Sequence, residues 1–106
     1  MRVLVLGAGA VGGYFGGRMV EAGMDVTFLI REKKRRKLEK TGLVIKSPKG
    51  DLSIKPNLVT IDKVGSDFDV ILFTNKAYDL DEILQLPIPV KDGALIIPLP
   101  VSYTHL

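Results

Sequence analysis

Met1-Arg-Val-Leu-Val-Leu-Gly-Ala-Gly-Ala-Val-Gly-Gly-Tyr-Phe-Gly-Gly17 decides the fold. Its first part, Arg2 to Leu6, is a short continuous apolar run, the pattern of a parallel strand buried on both faces. Gly7 ends the run. From Ala10 to Ala22, the residues Val11, Phe15, Met19, Val20 and Ala22 recur at helical spacing, and Gly23 suits a C-cap. Gly12, Gly13, Gly16 and Gly17 each weaken that helix by up to about 1 kcal/mol relative to Ala. Close packing of helix against strand is the expected compensation. Between strand and helix, Gly7-Ala8-Gly9-Ala10-Val11-Gly12 reads G-x-G-x-x-G. Gly7 permits the turn, Gly9 lets backbone approach a pyrophosphate, and Gly12 lets the helix pack on the strand. The pyrophosphate of a dinucleotide would then face the free N–H groups of the helix N-terminus.

The rest of the chain continues the alternation. Asp25 to Ile30 reads as a second buried strand, and Glu32 to Thr41 as a charged helix ended by Gly42. Leu43 to Ile45 and Leu52 to Ile54 flank the turn Ser47 to Asp51 and predict a β-hairpin. Asn57 to Ile61 is expected to form a short strand. Asp69 to Thr74 forms a buried one, followed by a helix near Tyr78 to Leu84 that Pro87 and Pro89 terminate. Ala94 to Leu99 is the last strand. Alternating strands and helices specify an α/β fold: a Rossmann-like parallel sheet flanked by helices, with a β-hairpin insertion.

With 106 residues the chain holds one domain at most. No cysteine is present, so disulfide, zinc-thiolate and thiol chemistry are excluded, and a reducing cytoplasm is the expected location. The glycine-broken opening reads as core strand and helix, not as a signal peptide. No stretch is long enough to span a bilayer, and no metal site is indicated. Ten residues, Arg31 to Lys40, hold seven basic and two acidic side chains within a chain of net charge +3, so the remainder is slightly acidic. A local cluster without interleaved aromatics does not suit nucleic-acid binding.

The cluster begins where the second strand ends. An acid at that place accepts from the ribose 2′-hydroxyl of NAD, whereas an arginine pairs with the 2′-phosphate of NADP. Leu29-Ile30-Arg31, with Lys33 and Lys34 close behind, favours NADP(H), because a guanidinium can bond a phosphate bidentately. Glu32 keeps an NAD-type contact with the ribose open. Most of the following lysines read as a solvated helix face.

GAGAVGGYFGG, AGMDVTFLIR, TGLVIKSPKGD and DVILFTNKAYDL together resemble the N-terminal domain of the ketopantoate reductase (2-dehydropantoate 2-reductase) family, from about Met1 to Leu99. The hairpin after the second helix and the lysine of NKAYDL carry most of the likeness. The resemblance implies NADPH-dependent reduction of ketopantoate, a keto-acid, to pantoate in pantothenate and coenzyme A biosynthesis. It implies a pyrophosphate site at Gly7, Ala8, Gly9, Ala10, Val11 and Gly12, and a 2′-phosphate site at Arg31. Lys76 matches a family lysine near the nicotinamide ribose, and Thr74 and Asn75 line the same crevice by position. The family's general-acid lysine and substrate-binding acid lie in a second, helical domain, so no catalytic residue is assigned within these 106 residues, and no turnover by them alone is expected. Two alternatives remain: another NADP-dependent hydroxyacid or ketoacid dehydrogenase, or a non-catalytic nucleotide-sensing Rossmann module.

After Leu99 the likeness stops. The family places an asparagine-glycine pair there, but Pro98-Leu-Pro-Val-Ser-Tyr-Thr-His-Leu106 follows instead. Val101 to Leu106 match one reading frame of the transposon-end adapter CTGTCTCTTATACACATCT, and a CCT codon for Pro100 fits the preceding bases. Residues 1–99 are therefore expected to be the partial NADP-binding domain and 100–106 a non-native, adapter-derived tail. His105 would then be neither ligand nor base. A sheet that stops at its last strand is also expected to self-associate through its exposed edge.

Overall fold

The computed structural model describes residues 1–46, 50–74 and 85–99; for Ala10, Val11 and Thr74 it describes the backbone alone. The order is β1 (Arg2–Leu6), α1 (Ala10–Glu21), β2 (Asp25–Leu29), α2 (Glu32–Thr41), β3 (Leu43–Ile45), β4 (Leu52–Ile54), β5 (Asn57–Val59), β6 (Val70–Thr74) and β7 (Leu95–Leu99). The expected helix near Tyr78 to Leu84, the turn at Ser47 to Lys49 and the tail from Pro100 lie outside the described residues.

Five strands form one sheet in the order β5-β2-β1-β6-β7, and every pairing in it is parallel. The chain winds outward from β1 through β2 to β5, then crosses back to β6. The order reverses beside β1, and open α/β sheets place ligands outside the carboxyl ends of the strands at such a switch point. The sequence reading of an α/β, Rossmann-like sheet is what the chain forms.

Period-two alternation explains why these runs become interior strands. Val3, Val5, Val26, Phe28 and Leu72 pack on the face covered by α1, while Leu4, Leu6, Ile71 and Phe73 pack on the other with Phe68 and Ile88. Both faces of β1 are buried, which a continuous apolar run allows and an alternating one would not.

Two glycine pairs give α1 its close approach. Added Cβ atoms at Gly12 and Gly16 would meet Val5 Cγ1 at 3.4 Å and Phe28 Cε1 at 2.5 Å, so this pair faces the sheet. At Gly13 and Gly17 they would meet Ile45 Cδ1 at 3.2 Å and Leu52 Cδ2 at 2.8 Å, so that pair faces the β3–β4 hairpin. One helix is thus fitted against two partners. The helix ends in a Schellman motif: Met24 N–H donates to Met19 C=O at 3.0 Å and Gly23 N–H to Val20 C=O at 2.9 Å. Ala22 is the C-cap itself, and Gly23 (φ +88°) is the residue just past it. The assignment of the cap to Gly23 is thus displaced by one residue, because the left-handed position follows the cap.

At the amino edge of the sheet, Asp69 accepts from the Arg2 backbone N–H at 2.7 Å and from the Lys91 ammonium. The Lys91 bond, then the Arg2 amide, holds the Asp69 carboxyl below the usual carboxylate range. A depressed carboxylate contributes stability that is complete above the unfolded-state pKa and is lost as pH falls through the folded one. Asp69→Asn is therefore expected to lower Tm at pH 7 by a few degrees and to flatten the decline of Tm below about pH 4. Thermal melts across pH check this, and identical acid limbs in both proteins would contradict it.

Candidate dinucleotide site

The carboxyl ends of β1, β2 and β5 open onto one cavity of about 690 Å³. Gly7, Ala8 and Gly9 line it from β1, Leu29 to Glu32 with Lys34 from β2 and α2, and Thr60, Ile61 and Asp62 from β5. Leu86 closes it from the later part of the chain. The strand ends are locked in register past the sheet itself, since Gly7 N–H donates to Leu29 C=O at 2.8 Å and Ile30 N–H to Val59 C=O at 3.0 Å.

Gly7 turns off β1 with φ +94°, a conformation that disfavours any side chain. Gly9 is the N-cap of α1, and a Cβ there would meet nothing within 4 Å. No side chain caps this helix and no acid stands in its first turn. The first amides of α1 have no intrahelical acceptor, so the positive end of the helix is open towards the cavity rim. This arrangement fits a pyrophosphate.

Arg31 is exposed and serves as the N-cap of α2 through its backbone. Among the described residues neither Arg31 nor Lys34 has an ion-pair partner. Glu32 is placed differently. Its Oε2 accepts from Arg35 Nε at 2.9 Å, its Oε1 accepts from the other arm of the same guanidinium, and Arg36 Nε lies 3.5 Å from Oε1. The Arg35 hydrogen bond lowers the Glu32 pKa to about 2. Both oxygens of the one acid at the end of β2 are therefore engaged, whereas two cations at the same place are not.

Asp62 accepts a hydrogen bond from the Thr60 hydroxyl. That bond, then its own backbone N–H, keeps its carboxyl below the ordinary range, while the nearby Glu32 carboxylate acts in the opposite direction. Asp62 thus stays ionised at neutral pH.

Of the residues that the sequence nominated, Gly7, Ala8, Gly9 and Arg31 line the cavity, and Ala10, Val11 and Gly12 form the first turn of the adjoining helix. Thr74 ends β6, across β1 from the cavity, while Asn75 and Lys76 lie outside the described residues. Sequence reasoning missed Thr60, Ile61, Asp62 and Leu86, and did not separate Lys34 from its neighbours. Asn57 to Ile61 was legible as a strand, but its pairing with β2 was not, and that pairing is what brings Thr60 to Asp62 to the site. Among the described residues no helix is long and apolar enough to cross a membrane.

The chain was compared with proteins of known family and structure. It is 46% identical over 106 residues to the uncharacterized oxidoreductase YkpB of Bacillus subtilis, covering 99% of this chain and 35% of that protein. It is 34% identical over 85 residues to the 2-dehydropantoate 2-reductase of Pyrococcus horikoshii, covering 79% of this chain and 27% of that protein. The structure of 2-dehydropantoate 2-reductase from Geobacter metallireducens superposes with a TM-score of 0.74 at 27% identity, covering 93% of this chain and 33% of that one. The chain thus spans about a third of the length of these relatives. With the model of ketopantoate reductase PanE/ApbA matching residues 3–99, the chain belongs to that oxidoreductase family and corresponds to its N-terminal part.

Proposed function

We propose that this chain is the NADPH-binding half of a 2-dehydropantoate 2-reductase, the enzyme that reduces ketopantoate to pantoate for pantothenate and coenzyme A synthesis in the cytoplasm. The observation that carries the NADP(H) reading is the division of labour at the end of β2. Among the described residues, Arg31 and Lys34 line the cavity with no ion-pair partner, while Arg35 and Arg36 pair with the carboxylate of Glu32. A dianionic 2′-phosphate complements the first pair. A ribose 2′-hydroxyl would instead have to share the Glu32 carboxylate with the Arg35 and Arg36 guanidiniums that already neutralise it.

In this reading residues 1–99 are the cofactor-binding part. The amides of Ala10, Val11 and Gly12 hold the pyrophosphate, Gly9 leaves room for it, and Arg31 fixes the adenosine ribose through its phosphate. When bound, the cofactor supplies the hydride. Thr74, the last residue of β6, is assigned to the nicotinamide side, and so are Asn75 and Lys76, which follow it in the sequence. Protonation of the developing alkoxide needs an acid within hydrogen-bond reach, and none is assigned in these residues, so ketopantoate turnover is expected only when the helical domain of the family is joined to them. The apolar residues Leu95 and Ile97, exposed on edge strand β7, support self-association of the isolated chain.

A second reading keeps the cofactor and changes the substrate. The B. subtilis oxidoreductase, whose name assigns no substrate, shares more residues with the chain than the archaeal ketopantoate enzyme does. Another small 2-keto or 2-hydroxy acid is therefore the alternative.

Titration of the chain with NADPH, NADH and ATP tests the cofactor reading. NADPH is expected to bind at least about tenfold more tightly than NADH, and an ATP preference would instead indicate a nucleotide sensor. Steady-state assay of the chain joined to its helical domain, with ketopantoate against other 2-keto acids, decides the substrate. Ketopantoate reduction by the 106-residue chain alone would overturn the division of roles.

A further inference from the structure

The strand order fixes which residues meet which part of a bound dinucleotide. With the pyrophosphate at the β1–α1 turn and the adenosine ribose at the end of β2, the base continues in the same direction across the sheet. The next strand is β5, so the base comes to rest over Thr60, Ile61 and Asp62. Two of the lining residues there are apolar: Ile61, which is 40% exposed, and the half-buried Leu86. An aromatic base is a suitable occupant for a slot with such walls.

Asp62 gives that slot a chemical preference. We infer that Asp62 selects the base of the dinucleotide, its carboxylate accepting a hydrogen bond from the 6-amino group of adenine and disfavouring bases that carry a 6-oxo group. The inference rests on the dinucleotide reading of the cavity and adds a residue to it. Thr60 orients the carboxylate through its hydroxyl. An ionised carboxylate has about four acceptor positions, so the Thr60 and backbone bonds leave capacity towards the cavity. It offers no donor in return. A 6-oxo group would set a carbonyl oxygen against it, leaving both acceptors without a proton to share. Lys34 and Arg31 line the same cavity on the ribose side, so the phosphate and the base are read by different side chains of opposite charge.

Calorimetric titration of the chain with NADPH and with its hypoxanthine analogue, which carries a 6-oxo group in place of the 6-amino group and a protonated N1, tests the inference. The native chain is expected to bind NADPH about tenfold or more tightly than the analogue. Asp62→Asn, whose amide can donate to a 6-oxo group, is expected to bring the ratio to about one or below it. Asp62→Ala is expected to erase the base preference while leaving the ratio of NADPH to NADH affinity unchanged, because Arg31 is intact. Equal binding of NADPH and the analogue by the native chain overturns the inference and leaves the cofactor reading standing. A base preference that survives in both variants also overturns it. Failure of the native chain to bind NADPH at all removes the cofactor reading and this inference with it.

Discussion

Arg31→Ala is expected to weaken NADPH binding about 10- to 100-fold and to change NADH binding by less than about threefold. A charge-assisted, bidentate contact to a phosphate contributes roughly 1.5–3 kcal/mol, and that contact exists only for the phosphorylated cofactor. Lys34→Ala should cost less, since a single ammonium offers a point charge and no planar fork. Titrations with the two cofactors, on the native chain and on each variant, measure the ratio directly. Equal losses for NADPH and NADH would place Arg31 outside the phosphate site. The ratio should also narrow modestly between about pH 8 and pH 5.5, because a phosphate monoester loses its second negative charge near pH 6. Glu32 does not contribute to that change. Its pKa of about 2, set by Arg35, keeps it ionised and engaged over the whole interval.

Gly16→Val is expected to destabilise the fold by about 2–3 kcal/mol, read as a lower Tm or urea midpoint. A Cβ there would stand 2.5 Å from Cε1 and 2.6 Å from Cζ of Phe28. Phe28 is fully buried, with 0% exposure, so its ring has no free space to move into. The gain in helix propensity on replacing glycine, at most about 1 kcal/mol, is smaller than that overlap. Gly17→Ala makes a useful contrast. Its Cβ would meet the end of the Leu52 side chain at 2.8 Å and Ile45 Cγ1 at 3.6 Å, both on the hairpin. A small rotation there relieves the contact, so propensity and packing should nearly cancel. Equal losses at the two positions would show that the hairpin is held as rigidly as the sheet.

The glycine series also shows how far sequence could carry the fold. Four glycines within six helical residues signalled close packing, and the spacing i, i+4 was visible in Gly12/Gly16 and in Gly13/Gly17. That the pairs serve two different partners was not visible, because the hairpin's resting place on α1 is a long-range contact. Among the described residues, strand and helix limits were legible to within a residue or two, since apolar runs, glycine stops and charge clusters are local signals. The one-residue displacement at the end of α1 comes from a Schellman turn whose left-handed residue follows the cap.

The glycine turn between β1 and α1 was determined by sequence alone, for a physical reason. A glycine loop between a buried strand and a helix needs only local backbone geometry to expose free amides. Arg31 was likewise marked by its place at the end of a strand. Tertiary structure decided the rest. It tied Glu32 to Arg35 and Arg36 and, among the described residues, left Arg31 and Lys34 without an ion-pair partner, which separates two available cations from a stretch of mixed charge. It also set β5 beside β2 and so brought Thr60, Ile61 and Asp62 to the cavity. Strand order is a property of the whole chain's packing, and no local pattern around residue 60 encodes which neighbour that strand will choose.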